Sequence, residues 1–194
     1  MSKFLRCRLP ASLAALVLLA GCGSVSGLTR EAANAPARIA DFDRVEVLDF
    51  SASDSQVFDD ATKQAAHLVD VNQARREFAD KIAEAITATG AFNDVSRQPG
   101  TGPALRVSGD ISRYDEGNVV ARGLTGFAGQ THFDATVNIT DSSSGQVLAT
   151  LNIERNSWPL PVGASMSTLQ TTNYFMNNAA KKIADELAAK KKVQ

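Results

Sequence analysis

The chain has 194 residues, 44% of them hydrophobic, with 20 basic and 21 acidic side chains and a formal charge of -1. That length supports one domain with a sizeable core plus a linker, and the slightly acidic balance gives no reason to expect a nucleic-acid partner. Both cysteines, Cys7 and Cys22, precede the folded part, so a thiolate metal site and cysteine catalysis are excluded from it.

The first 21 residues read as an export signal. Lys3, Arg6 and Arg8 form a positive start, and the apolar run Ala11 to Ala20 is too short to span a bilayer, which takes roughly 20 apolar residues. The run ends in Leu19-Ala20-Gly21-Cys22, which resembles the lipobox of bacterial lipoproteins. The resemblance implies cleavage before Cys22 and acylation of its thiol and new amino group, enough chains for stable membrane anchoring. Gly23 follows, where an aspartate would signal inner-membrane retention by the enteric sorting rule. The destination it implies is the outer membrane, with the protein facing the periplasm. Losing the signal removes three basic residues and no acidic one, leaving a mildly acidic mature chain.

Residues 22–42 are expected to form the lipid anchor and a flexible tether with a mean reach of about 25 Å. A single α/β domain is expected over residues 43–189, followed by a solvated basic tail, 190–194. The domain opens with the β-rich run Arg44 to Ala52. Residues Val57 to Thr89 carry a helical stripe of Val71, Ala74, Phe78, Ile82, Ala85 and Ile86, with Asp59 and Asp60 suited to the start and Gly90 to the stop. A turn-rich link with a short strand at Val95 leads to three alternating strands. Their inward sets are Leu105, Val107, Gly109 and Ile111; then Phe133, Ala135, Val137 and Ile139; then Val147, Ala149, Leu151 and Ile153. The last two strands join through Asp141-Ser142-Ser143-Ser144-Gly145, a hairpin turn with glycine late in the loop. A final amphipathic helix runs from about Met166 to Ala189 on Leu169, Met176, Ala180, Ile183 and Leu187. The fold class is α+β, a mostly antiparallel sheet of about 4–5 strands with a long central helix and a C-terminal helix on one face.

The segments "VEVLDF", "LRVSGDISRYDEGNVVARGLTGFAGQ" and "VNITDSSSGQVL" resemble a family of uncharacterised bacterial lipoproteins with a domain of unknown function. The shared positions are Gly109, Tyr114, Gly117, Asn118, Arg122, Gly126, Gly129, Asp141 and Gly145. The resemblance implies a periplasmic α/β domain and supplies no catalytic residues. The layout is also similar to small envelope domains of the Tol system and to the curli secretion lipoprotein.

The stretch Arg122 to Gln130, "RGLTGFAGQ", has glycines at 123, 126 and 129 but no lysine, and it leads into a strand rather than a helix. That context excludes a Walker loop and a dinucleotide fingerprint. It reads as a bent strand connection, where glycine tolerates positive φ and close backbone approach. A recognition loop built on Tyr114, Arg122, Leu124 and Phe127 is compatible with that reading. His67 and His132 lie in no metal-ligand spacing and are expected to be structural or surface histidines. Asp110, Asp134, Asp141 and Glu154 are the carboxylates available for a glycan hydrolase, although their strand and turn positions suit solvated side chains. Tyr114 and Trp158 are candidates for stacking on sugars.

The sequence thus points to a non-enzymatic binding or assembly module for an envelope protein or a cell-wall component, without cofactor or metal. The alternatives are a peptidoglycan hydrolase and a subunit of an envelope secretion or pore complex.

Overall fold

The computed structural model describes residues 23–29, 37–118, 129–157 and 170–192. Cys22, Arg122, Leu124, Phe127, Trp158 and Leu169, all singled out from the sequence, lie outside the described residues. The long central helix, α1 (Ala61–Thr89), begins where a side chain can take its free amides: Asp60 Oδ1 accepts from Thr62 N at 2.8 Å and Lys63 N at 3.0 Å. It ends at Gly90, whose φ of +62° is open to glycine and costly for other residues. The helical pattern from Val57 therefore overshoots by one turn, because residues before Asp60 spend their hydrogen bonds in a loop.

Among the described residues seven strands form one sheet: β1 (Gly23–Val25), β2 (Arg44–Val47), β3 (Ser51–Ala52), β4 (Asp94–Ser96), β5 (Leu105–Asp115), β6 (His132–Asp141) and β7 (Val147–Asn156). The order is β1-β7-β6-β5-β2-β4, with β3 pairing β5 beyond β2. The long pairs β5–β6 and β6–β7 are antiparallel, as expected, and so is the short β1–β7 pair, which the sequence reading did not foresee. The β2–β4, β2–β5 and β3–β5 pairs are parallel, which the sequence reading missed. Parallel neighbours need a long crossover, and α1 supplies it. The strand count exceeds expectation because Arg44 to Ala52 splits in two, Phe50 turning fully into the core, and because β1 joins the edge.

The C-terminal helix α2 (Thr172–Lys192) buries Met176, Ala180, Ile183 and Leu187, the stripe expected of it. Both helices share one core with the inward strand residues. Phe78 of α1 sits 4.9 Å from the Phe50 ring and 5.0 Å, edge-on, from Phe133 of β6. Among the described residues, both helices therefore lie on one face of the sheet and none lies on the other.

Three expectations need correction. First, Val147 points outward, 54% exposed, and Leu148 is buried instead. The pairing jumps from Ile139↔Ala149 to Thr140↔Val147, so Leu148 is the extra residue of a bulge that reverses the side-chain direction beyond it. Second, the stretch taken as a tether is ordered at both ends. Gly23–Val25 pairs with β7, and Ile39 and Phe42 are buried in the core, because apolar side chains and unpaired edge amides each find a partner there. Third, the basic tail is not simply solvated. Lys191 ends α2 with Nζ donating to Ala40 O at 3.0 Å and Phe42 O at 2.7 Å, and pairing with Asp43 Oδ1 at 2.8 Å.

That ammonium clasps the last helical turn to the chain entering β2, its side chain only 17% exposed. Lys191→Met keeps the stem and removes the donors. Charge-assisted bonds to two carbonyls set the expected loss at about 2 kcal/mol, read as a lower urea midpoint with unchanged slope. Lys192→Met, one residue on, serves as the control.

Candidate functional site: the helix-free face of the sheet

Strand alternation places one polar residue of each pair on the face that the helices leave open. Across β5, β6 and β7 the register builds successive rows: Ser108–Asn138–Thr150, Asp110–Thr136–Asn152, Arg113–Asp134–Glu154 and Asp115–His132–Asn156. The shift at Ser112 is a bulge that keeps both Ile111 and Tyr114 inward while moving Arg113 into the polar rows. Two side-chain bonds lace the middle of the face: Thr136 Oγ1 to Asn152 Oδ1 at 3.3 Å, and Thr150 Oγ1 to Asn138 Oδ1 at 3.1 Å.

At the Asp115/His132/Asn156 end of these rows lies an open groove of about 540 Å³, lined among others by Arg113, His132, Asp134, Thr136, Asn152 and Glu154. Cation, carboxylates, amide and hydroxyl stand within one or two register positions of each other, a set of donors and acceptors suited to a polar, multiply hydrogen-bonding ligand. Burial, assisted by the Arg113 charge, pushes the His132 imidazole below its ordinary value, which favours its neutral form. Its Nδ1 is enclosed and has no hydrogen-bond partner among the described residues. Asp134 Oδ1 accepts from the Arg155 amide at 3.2 Å, which fixes the carboxylate at the groove wall.

The four carboxylates proposed from the sequence divide accordingly. Asp134 and Glu154 are cross-strand neighbours lining the groove. Asp110 is held by the Ser51 hydroxyl at 2.6 Å and by Ser53. Asp141 caps its own turn, accepting from Ser144 Oγ at 2.6 Å and Ser143 N at 2.8 Å, and those bonds hold its carboxyl below the usual range. Gly145 closes that turn at a φ of +71°, as the sequence suggested.

Tyr114 is no exposed stacking platform. It is 5% exposed on the helix side, its hydroxyl donating to Glu116 Oε1 at 2.8 Å and lying 3.3 Å from Thr172 Oγ1. Burial, reinforced by the Glu116 carboxylate, keeps the phenol protonated well above its ordinary range. Its backbone amide donates to Asp54 Oδ2 at 3.1 Å, the same oxygen that meets His67 Nε2 at 3.0 Å. His67, 10% exposed and 5.1 Å from the Phe58 ring, is thus a structural histidine. Gly129, the last glycine of "RGLTGFAGQ", has a φ of +71°, and an added Cβ would come within 2.7–2.8 Å of Asn118 atoms. Strand geometry explains that glycine. The sequence reading overlooked Arg113 and Asn152; the polar alternation Thr150, Asn152, Glu154 of β7 was a signal for Asn152, whereas the bulge at Ser112 in β5 hid Arg113.

The fold resembles those of solved proteins. A point variant of the PelC dodecamer from Paraburkholderia phytofirmans is 17% identical over 83% of this chain and 96% of that one, with a TM-score of 0.50. A second PelC dodecamer crystal form from the same organism gives 17% identity, 82% and 98% coverage and a TM-score of 0.47. A Xanthomonas campestris protein of the family DUF330 gives 12% identity, 72% and 79% coverage and a TM-score of 0.39. No curated protein matches the chain. Residues 45–161, more than half of the chain and including β2 through β7 of the sheet, match one family, and the protein belongs to it: the domain of unknown function DUF4410.

Proposed function

We propose that this protein is a lipoprotein anchored through Cys22 in the outer membrane and facing the periplasm, where its domain acts as a non-enzymatic binding or assembly module for an envelope protein or cell-wall component. The observation that supports the binding role is the groove on this face, where Arg113, Asp134 and Asn152 present polar groups beside the partly buried His132. The anchor rests on Leu19-Ala20-Gly21-Cys22. Fractionated envelopes test it: the native chain partitions with outer membrane and Cys22→Ser with soluble periplasm. For the groove, purified protein is sedimented with peptidoglycan sacculi and, separately, cross-linked in intact cells. Asn152→Ala with Asp134→Ala removes two hydrogen-bonding side chains, and retention should fall about thirtyfold at roughly 1 kcal/mol for each. Undiminished retention, or no captured material with the native chain, refutes the binding role.

The pairing of Asp134 with Glu154 across β6 and β7 favours a second reading, a peptidoglycan hydrolase using that pair. Release of soluble fragments by the native protein, abolished in Asp134→Asn or Glu154→Gln, would establish it over the binding reading. The dodecameric PelC structures motivate a third, a self-assembling subunit of an envelope secretion or pore complex, which light scattering of the lipidated protein in detergent decides.

A further inference from the structure

The lipid anchor is joined to the sheet almost directly. Gly23 pairs with Arg155, Ser24 with Glu154 and Val25 with Ile153. Beyond β1 the pairing continues as Ser26 N to Asn152 O at 2.9 Å and Thr29 N to Thr150 O at 3.1 Å. The hydroxyls return the contact: Ser26 Oγ accepts from Asn152 N at 2.8 Å and Thr29 Oγ1 from Thr150 N at 2.9 Å. Residues 23–29 therefore cover the β7 edge and run away from its C-terminal end. Gly23, the residue bonded to Cys22 in sequence, is in register with Arg155, one position from the Asp115–His132–Asn156 row.

We infer that the end of the sheet where β1 meets Arg155 of β7 is the end turned toward the lipid surface. The Asp141–Gly145 turn then faces away from it. The inference rests on the proposed lipidation of Cys22. A free tether of residues 22–42 would let the domain stand off by about 25 Å in any orientation. With β1 zipped, the acyl chains and the sheet end share one position. Attraction to anionic headgroups does not set this orientation, since among the described residues Asp115, Glu116, Asp134 and Glu154 outnumber Arg113 and Arg155 here. It should therefore persist in high salt, where surface electrostatics are screened.

The lipidated full-length protein tests this in vesicles containing nitroxide-headgroup lipid. Lipid occupies the Cys22 thiol, so Ser112→Cys and Ser143→Cys, both at exposed positions, each supply the free thiol for a fluorophore. The two sites differ by about 25 Å along the strands, and the Ser112→Cys label should be quenched at least about threefold more than the Ser143→Cys label. Ser26→Pro, which removes the amide bonded to Asn152, should bring the two labels together. Intact mass of the purified protein reports the acyl chains. Absence of lipid overturns both the anchoring and the orientation. Lipid with equal or reversed quenching overturns the orientation alone. Asymmetry unchanged in Ser26→Pro overturns the strand pairing as its cause.

Discussion

Replacing Glu46 with alanine should destabilise the domain by about 3 kcal/mol, the lower end of the cost of breaking a buried ion pair. The side chain is fully buried in β2, on the face opposite Val45 and Val47. Its Oε1 accepts from Arg44 Nη2 at 2.6 Å and from the Gly100 amide at 2.8 Å, and its Oε2 from Arg106 Nη2 at 3.0 Å. One carboxylate thus joins β2, β5 and the link between β4 and β5. Truncation leaves an unpaired amide and two guanidinium groups facing each other. Arg44 and Arg106 are 18% and 33% exposed, so partial hydration keeps the cost near that lower end. Equilibrium urea unfolding measures it, with Glu154→Gln on the exposed face as the control, expected to change stability by less than about 0.5 kcal/mol.

The same residue predicts a pH dependence. Burial raises the Glu46 carboxyl, but the Gly100 amide and the charges of Arg106 and Arg44 outweigh it and hold the group below its ordinary value of 4.5. A carboxylate depressed in the folded state stabilises fully above its unfolded value, and that contribution disappears as pH falls through the folded value. Stability should thus decline on acidification below about pH 4.5, and Glu46→Gln should flatten that part of the profile. A variant whose stability falls with pH as steeply as the native protein's would contradict the assignment.

Gly109→Ala is expected to cost about 3 kcal/mol, the upper range for overpacking a core. The residue lies in the middle of β5, opposite Val137, on the side where Leu105, Val107 and Ile111 enter the core. An added Cβ would overlap the Thr136 carbonyl oxygen and reach within 2.6 Å of Phe50 Cε1. The Thr136 contact is backbone, and Phe50 is pinned against Phe78, so neither neighbour yields by a rotamer change. Thermal unfolding of Gly109→Ala beside Ser108→Ala, on the polar face, measures the difference. A neutral Gly109→Ala would mean that β5 and β6 can separate there without loss.

Much of the scaffold was legible because it rests on local periodicity. The α1 stripe, its stop at Gly90, the hairpin turn from Asp141 to Gly145 and the inward sets of β5 and β6 follow from spacings of 3.6 and 2 and from turn chemistry. The same reasoning failed at β7, where one bulged residue exchanges Val147 for Leu148. A bulge is set by the partner strand and leaves no mark in a single strand's pattern. The groove was half legible: Asp134 and Glu154 were named, but nothing in sequence distance brings them beside Arg113 while sending Asp110 to Ser51 and Ser53. Tyr114 was misplaced because the bulge at Ser112 decides which face it occupies.

By itself the sequence determined the α+β class, the two long helices with the β5–β7 strands between them, the helix stop and hairpin turn, and the absence of a thiol from the folded part, all consequences of residue type and near-neighbour spacing. Only the tertiary structure decided that β2 lies parallel to β5, that Glu46 is enclosed by two arginines, that Lys191 clasps the entering chain, and that residues 23–29 belong to the sheet. Those are pairings between segments far apart in the chain. Their free energy comes from burying apolar surface and satisfying backbone groups against a distant partner, which no local pattern encodes.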